Sequence, residues 1–304
     1  MSLLFVEQLL NGVQLGVMLF LMAAGLTLVF GVMGLLNLAH GSLYMIGAFA
    51  AAFIMNSTGS FLLGLIASFC AAAFAGVLIE MLVIRRLYKR DHLDQVLATF
   101  ALILIFSEGT RMAFGSFPLY LNIPDYLAGP VTLFGVMEYP LYRLMLIVIG
   151  IVIALLLYFL ITKTRLGIQI QAGENDREMI AALGVNISKL YTIVFALGAA
   201  LAGLAGALVG ALQSVQIGMG EPVLILAFVV IVIGGIGSIK GAFIGAILVG
   251  LSDTLGAFLL PKMLGHLFGS SGQEAGVILA SMAIYLVMAI VLIFKPAGLY
   301  GKPR

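Results

Sequence analysis

Long apolar stretches separated by short polar ones make up nearly the whole chain. Nine continuous apolar runs lie near residues 9–31, 35–55, 61–84, 95–115, 141–162, 190–213, 222–239, 242–260 and 275–294. Bilayer hydrocarbon is about 30 Å thick and takes roughly 20 apolar residues per helix, and only helices or closed barrels satisfy every backbone polar group inside it. Barrel strands would read as segments of about 10 residues alternating apolar and polar. The runs here are unbroken, so they predict helices. The expected fold class is all-α, a polytopic transmembrane helical bundle of about 8–10 spans with interrupted helices. No polar stretch is long enough to build a soluble core, and residues 1–304 read as one membrane domain.

Composition closes off the alternatives. The chain is 63% hydrophobic and only 9% charged, with a mean hydropathy of +1.22, whereas soluble domains carry about 25% charged residues. A water-soluble fold is excluded. The net charge of +2 says little, but the placement of the 15 Lys and Arg residues says more. None precedes Arg85. If each run crosses once, twelve fall on one side: Arg85, Arg86, Lys89, Arg90, Lys163, Arg165, Arg177, Lys189, Lys240, Lys295, Lys302 and Arg304. Arg111, Arg143 and Lys262 fall on the other. The positive-inside rule then puts the twelve in the cytoplasm, with the N-terminus outside and the C-terminus inside. Cys70, the one cysteine, cannot form an intrachain disulfide. The first run lacks the basic start and cleavage site of a secretory signal and is long enough to stay as a span.

Thirty-seven glycines, many inside the runs, point to close helix packing where lipid supplies no hydrophobic drive between helices. Gly12 and Gly16, Gly206 and Gly210, and Gly241 and Gly245 have the four-residue spacing that places both on one helix face. Two stretches ask for more than packing. Residues 31–42 set Asn37, His40, Gly41 and Ser42 among glycines between two apolar runs, and residues 234–241 (Gly-Gly-Ile-Gly-Ser-Ile-Lys-Gly) contain Gly235, Gly237 and Ser238. Glycines and polar side chains at membrane depth fit broken helices that line a cavity, and paired interruptions in two halves of a chain point to a midplane path. Both stretches are therefore candidate pathway linings; plain interhelical turns are the alternative. A phosphate loop is rejected, because Lys240 precedes Gly and not Ser or Thr.

Three carboxylates lie in or near apolar runs, where an acid costs about 2.5–3.5 kcal/mol at a helix centre. Glu80 lies about one turn from Arg85, consistent with a place at the interface. Glu108 and Arg111 have the spacing of a local helix pair. Asp253 has no such partner in its own run and joins the candidate pathway residues.

The longest polar segment, residues 163–189, contains the signature of a short amphipathic helix. Asn175 or Asp176 caps it, Glu178 sits in its first turn, Gly184 ends it, and Met179, Ile180 and Leu183 form its apolar side. Such a helix is a connector or a docking surface for a cytoplasmic partner.

Residues 11–51, with Gly25-Leu26-Thr27-Leu28-Val29-Phe30-Gly31 and Asn37-Leu38-Ala39-His40-Gly41-Ser42, resemble permease subunits of branched-chain amino-acid ABC importers of the LivH type. So do the 163–189 segment followed by Phe195-Ala196-Leu197-Gly198-Ala199-Ala200-Leu201-Ala202-Gly203, the 234–241 stretch, and Pro296-Ala297-Gly298-Leu299-Tyr300-Gly301. ABC permeases carry a cytoplasmic Glu-Ala-Ala, three residues, Gly motif that docks on the ATPase. Glu178 and Gly184 keep that spacing, but Met179 and Ile180 replace the two alanines, with Ala181 and Ala182 following. The resemblance thus assigns ATPase coupling to Asn175, Asp176, Arg177, Glu178, Ala181, Ala182 and Gly184, on a cytoplasmic coupling helix.

The resemblance implies a subunit of a bacterial inner-membrane importer. Its partners would be a second, homologous permease, two cytoplasmic ATP-binding subunits and an external substrate-binding protein. The solute would be a branched-chain or related hydrophobic amino acid, or, in importers of the same family, urea, a short amide or a small carboxylate. The chain would perform no chemistry and hold no cofactor. A secondary transporter using Asp253 and His40 is the rival reading, which the coupling segment opposes. A membrane hydrolase would need a nucleophile motif around Ser42 that the sequence lacks.

Overall fold

A computed structural model describes residues 2–88, 90–133, 135 and 137–301. Lys89, Lys302 and Arg304, three of the residues used above for orientation, lie outside that set. Among the described residues the chain runs α1 (Ser2–Met33), α2 (His40–Thr58), α3 (Phe61–Ile79), a π-helical segment (Glu80–Ile84), α4 (Arg85–Leu87), α5 (His92–Phe114), α6 (Asp125–Ala128), β1 (Pro130–Leu133), β2 (Met137–Pro140), α7 (Leu141–Lys163), α8 (Arg165–Asn175), α9 (Arg177–Ala182), α10 (Ile187–Gly210), α11 (Gly220–Gly234) and α12 (Ile239–Phe294).

All nine apolar runs are mainly helical, and the chain is a polytopic helical membrane protein. Among the described residues, six helical elements are long and apolar enough to cross a bilayer: α1, α3 with its continuation to Leu87, α5, α7, α10 and α12. Two of the nine runs fall short of that length or apolarity. Helix α11 has only 15 residues. Helix α2 spends part of its 19 residues on His40, Ser42, Asn56, Ser57 and Thr58. The last two runs lie on either side of a break at Gly269 (φ 67°, ψ −146°), so α12 is two helices joined at that residue. Beyond that break the chain folds back, with Gly256 against Ala283 and Gly276 against Pro261.

The chain divides into two compact units. One comprises Met1–Phe20, Asp125–Val152 and Ala227–Arg304, the other Leu21–Pro124 and Ile153–Leu226. In the first, Gly12 and Gly16 of α1 lie against Gly250–Leu251 and Ala246–Ile247 of α12, so the four-residue spacing does bring two backbones together. This unit also holds a feature the apolar pattern does not announce, an antiparallel hairpin pairing Val131 with Tyr139 and Leu133 with Met137. Met137 and Tyr139 turn inward while Glu138 and Pro140 face out. The Tyr139 hydroxyl donates to Asn11 Oδ1 at 3.1 Å, and Arg143 donates to the same oxygen at 2.8 Å.

In the second unit α2, α3 and α10 pack on one another. Their contact relies on small residues, because close backbone approach replaces hydrophobic drive in lipid. Gly47 of α2 and Gly203 of α10 meet backbone to backbone, and a side chain at Gly203 would begin 2.9 Å from the Ser68 carbonyl of α3. Large apolar side chains on the outer faces, such as Leu62, Ile66 and Phe74 of α3 and Leu97, Phe100 and Leu104 of α5, are exposed. Those faces suit lipid.

Candidate functional site

The first interrupted segment begins where α1 stops, with the Gly34 amide bonded to the Phe30 carbonyl at 2.8 Å. Asn37 then makes the local turn: its Oδ1 accepts from the Ala39 amide at 3.1 Å, the side-chain mimicry of a backbone turn that Asn favours. Helix α2 starts at His40 without a side-chain cap on Ala39. Asn37 and His40 are fully buried, and Ser42 and Thr27 are 1% exposed. Gly41 lies against the Gly220 carbonyl at the start of α11.

Apart from Asn37 Oδ1, several polar atoms of this segment and of α1 lack protein partners. Thr27 Oγ1, Asn37 Nδ2, both ring nitrogens of His40 and Ser42 Oγ are buried without a hydrogen bond. The His40 imidazole faces the Met22 carbonyl of α1 without completing a bond of ordinary geometry, and its Nε2 abuts Gly25. Upwards of 90% of buried polar groups in proteins are paired, and an unpaired one costs about 1–3 kcal/mol. Such unpaired donors and acceptors in an apolar unit suit a polar solute or ordered water.

The second interrupted segment belongs to the other unit and has a different local logic. Gly235 and Gly237 form the turn between α11 and α12, and Ser238 caps α12, its Oγ accepting from the Gly241 amide at 3.0 Å. The C-terminal segment binds along this turn. The Leu299 amide donates to the Ile233 carbonyl at 2.8 Å and the Tyr300 amide to Gly234 at 2.9 Å. Gly235 backs onto Ala297 and Gly301. Asp253 lies within α12, partly exposed. The structure therefore gathers Asn37, His40, Gly41 and Ser42 in one unit and Gly235, Gly237, Ser238 and Asp253 in the other.

The 163–189 segment forms two helices where the sequence pattern suggests one. Helix α8 is capped by Thr164, whose Oγ1 accepts from the Gly167 amide at 3.2 Å, and Asn175 near its end donates to the Gln171 carbonyl at 2.9 Å. Asp176 is the cap of α9, with Oδ1 accepting from the Glu178 amide at 3.0 Å and from the Met179 amide at 3.0 Å. Gly184, at φ 90°, ends it. The Val185 amide reaches the Ile180 carbonyl at 3.2 Å and the Gly184 amide reaches Ala181 at 3.0 Å, the paired bonds of a Schellman stop. The expected apolar side is split. Ile180 is buried and anchors the helix, whereas Met179 and Leu183 are 59% and 77% exposed. Arg177, Glu178, Ala181, Ala182 and Gly184 are exposed with them.

Two carboxylates resolve differently. Glu108 and Arg111 form the local pair their spacing indicates, at 2.8 Å and exposed. Glu80 is enclosed by protein: its side chain is 0% exposed and bound to Arg85, Tyr88 and Thr192. Helix spacing of three or four residues does not reveal Tyr88 or Thr192 as its partners.

Residues 8–295 match the family described as branched-chain amino acid transport system, permease component. The chain is 30% identical over 315 residues to the high-affinity branched-chain amino acid transport system permease protein BraD of Pseudomonas aeruginosa, covering 99% of this chain and 97% of that one. It is 29% identical to LivH of Escherichia coli (strain K12), covering 99% of this chain and 96% of that one. A probable LivH of Methanocaldococcus jannaschii is 28% identical across 93% of this chain and 89% of its own length. No solved structure matches the chain significantly.

Proposed function

The chain belongs to the branched-chain amino acid permease family, a transport component and not an enzyme, and from that premise we propose that it imports branched-chain amino acids across a bacterial inner membrane. An external binding protein delivers the solute, a second permease of the same kind completes the channel, and two cytoplasmic ATPases drive it. The observation that carries the reading is the family match over residues 8–295.

Helix α9 is the ATPase-docking surface. It is capped at both ends, its exposed face carries Arg177, Glu178, Met179, Ala181, Ala182 and Leu183, and it keeps the Glu178 to Gly184 spacing. The pathway runs past Asn37, His40 and Ser42, whose unpaired polar atoms offer hydrogen bonds to a zwitterion. In the other unit Gly235, Gly237, Ser238 and Asp253 are proposed as solute-path residues, Gly235 and Gly237 in a turn and Ser238 as a cap. Holding is weak by design, since a subunit that relays solute from a binding protein gains nothing from slow release. The twelve basic residues on one side put α9 and the C-terminus in the cytoplasm.

Reconstitution with its ATPases and binding protein in proteoliposomes tests this. ATP-dependent uptake of leucine, isoleucine or valine is expected. Uptake of urea or a short amide in their place would overturn the solute, and ATP-independent, ion-driven uptake would overturn the mechanism. Cysteines at Asn175 or Asn186 should be labelled from inside alone; labelling from outside reverses the orientation.

A further inference from the structure

The Glu80 cluster uses more of its carboxylate than a structural ion pair needs. Arg85 Nε donates to Oε1 at 3.1 Å and Arg85 Nη2 to Oε2 at 2.9 Å. The Tyr88 hydroxyl donates to Oε1 at 2.6 Å, and the Thr192 hydroxyl shares its one hydrogen between Oε2 at 2.8 Å and the Ser188 carbonyl at 2.9 Å. Both oxygens are thereby filled twice. Arg85 Nη2 also donates to Thr192 Oγ1 at 2.9 Å, closing a ring between the end of α3 and the base of α10. The Tyr88 ring meets the Tyr191 ring edge to face at 5.0 Å. Burial, with the hydrogen bond to Glu80 next, pushes the Tyr88 hydroxyl well above its usual range, so it stays a donor at neutral pH.

The backbone under this cluster is unusual. Residues Glu80–Ile84 wind as a π-helix, and the Arg85 amide reaches the Glu80 carbonyl, five residues back. In an α-helix position i+5 lies about 140° around from i, on a different face. The π turn brings it back over Glu80. An arginine at i+4 in plain α-helix would have made the same pair. The extra residue therefore does something pairing alone does not require, and single π turns recur at functional sites.

Position supplies the link to transport. Thr192 lies five residues into α10, about 7.5 Å from its start at 1.5 Å per residue. Asn186 caps α10, accepting from the Lys189 amide at 3.0 Å, and lies two residues after the Gly184 stop of α9. Helices α8 and α9 both contact α10. A push on α9 thus reaches Thr192 through a connection of four residues, Leu183 to Asn186.

We propose that Glu80, Arg85, Tyr88 and Thr192 form a latch that ties the base of α10 to the π turn at the end of α3, so that movement of α8 and α9 shifts α3. Drawing Thr192 away removes one of the bonds that hold the extra residue in register, and the helix beyond it then turns by up to about 100°, one α-helical residue. The four are positioning residues. The latch rests on α9 being the ATPase-docking surface.

The experiment is done on the reconstituted importer with its ATPases and binding protein, measuring leucine uptake and ATP hydrolysis together. Thr192→Val removes the hydroxyl and keeps the shape; Glu80→Gln removes the charge. Both should lower the solute moved per ATP at least about fivefold, the lower end of ordinary coupling between sites, while hydrolysis continues. Thr192→Ser should restore the ratio. An unchanged ratio in Thr192→Val, whether or not total activity falls, overturns the latch, and that variant decides the matter if Glu80→Gln fails to insert. Gly184→Trp separates the two readings. If it leaves uptake and stimulated hydrolysis intact, the docking surface is misplaced. If it abolishes both while Thr192→Val keeps its ratio, the latch alone is wrong.

Discussion

Removing the cap of α9 should loosen that helix by a predictable amount. The helix has six residues, far below the length at which helices persist on their own propensity, so its ends decide its stability. Asp176 Oδ1 holds the Glu178 and Met179 amides, each at 3.0 Å. Replacing such a cap with alanine costs about 1 kcal/mol, within a range of roughly 0.5–2. A tenfold change corresponds to about 1.4 kcal/mol, so Asp176→Ala should raise the opening of α9 about fivefold. Hydrogen exchange reads this at the Leu183 and Val185 amides, which bond to Met179 and Ile180. Both should exchange about fivefold faster, while the amide of Asp176, bonded to Ala172 in α8 and replaced here by that of alanine, keeps its protection. Asp176→Asn keeps the acceptor and should stay within about twofold of the parent. Equal exchange in parent and Asp176→Ala would mean that tertiary contact through Ile180 alone sets the helix, and the cap argument would fall.

Ser42→Ala should leave thermal stability unchanged or slightly higher, because it deletes a buried hydroxyl with no partner, and yet reduce leucine uptake; wild-type uptake would leave packing as the sole role of Ser42. Gly203→Val should cost about 1–3 kcal/mol as overpacking against a backbone that cannot yield, since its side chain would meet the Ser68 carbonyl. A melting temperature equal to the parent's, measured on the purified protein in detergent, would show that α2, α3 and α10 pack less tightly than described.

What could be read from the chain divides by the reach of the interaction behind it. Apolar runs report burial in lipid through composition alone, and each became mainly helix. The Asp176 cap and Gly184 stop are bonds within two to five residues, so the residue types in that short window carry them. Helix α8 was legible by the same rule in Thr164, but the glycine and glutamine content between Arg165 and Asn175 masks its pattern. The hairpin at Pro130–Pro140 is anchored through Tyr139 to Asn11, 128 residues away, and leaves little local trace. The fold-back of α12 turns on Gly269, one glycine among 37.

Glu80 shows why the rest stayed hidden. A helix read with neighbours at three and four residues finds no partner for it, because its arginine stands at five and its threonine 112 residues on. Only the π turn makes the first contact possible, and only the packing of α3 on α10 makes the second. The two depend on each other. Without Thr192 the carboxylate would keep fewer bonds inside an apolar unit, and without the π turn Arg85 would face away from a buried charge, which is costly unless paired. A buried acid whose local helix pattern leaves it unpaired, within reach of a basic loop, is therefore a sequence signal for a long-range contact, and here that contact joins the two elements that a docking event at α9 would have to move together.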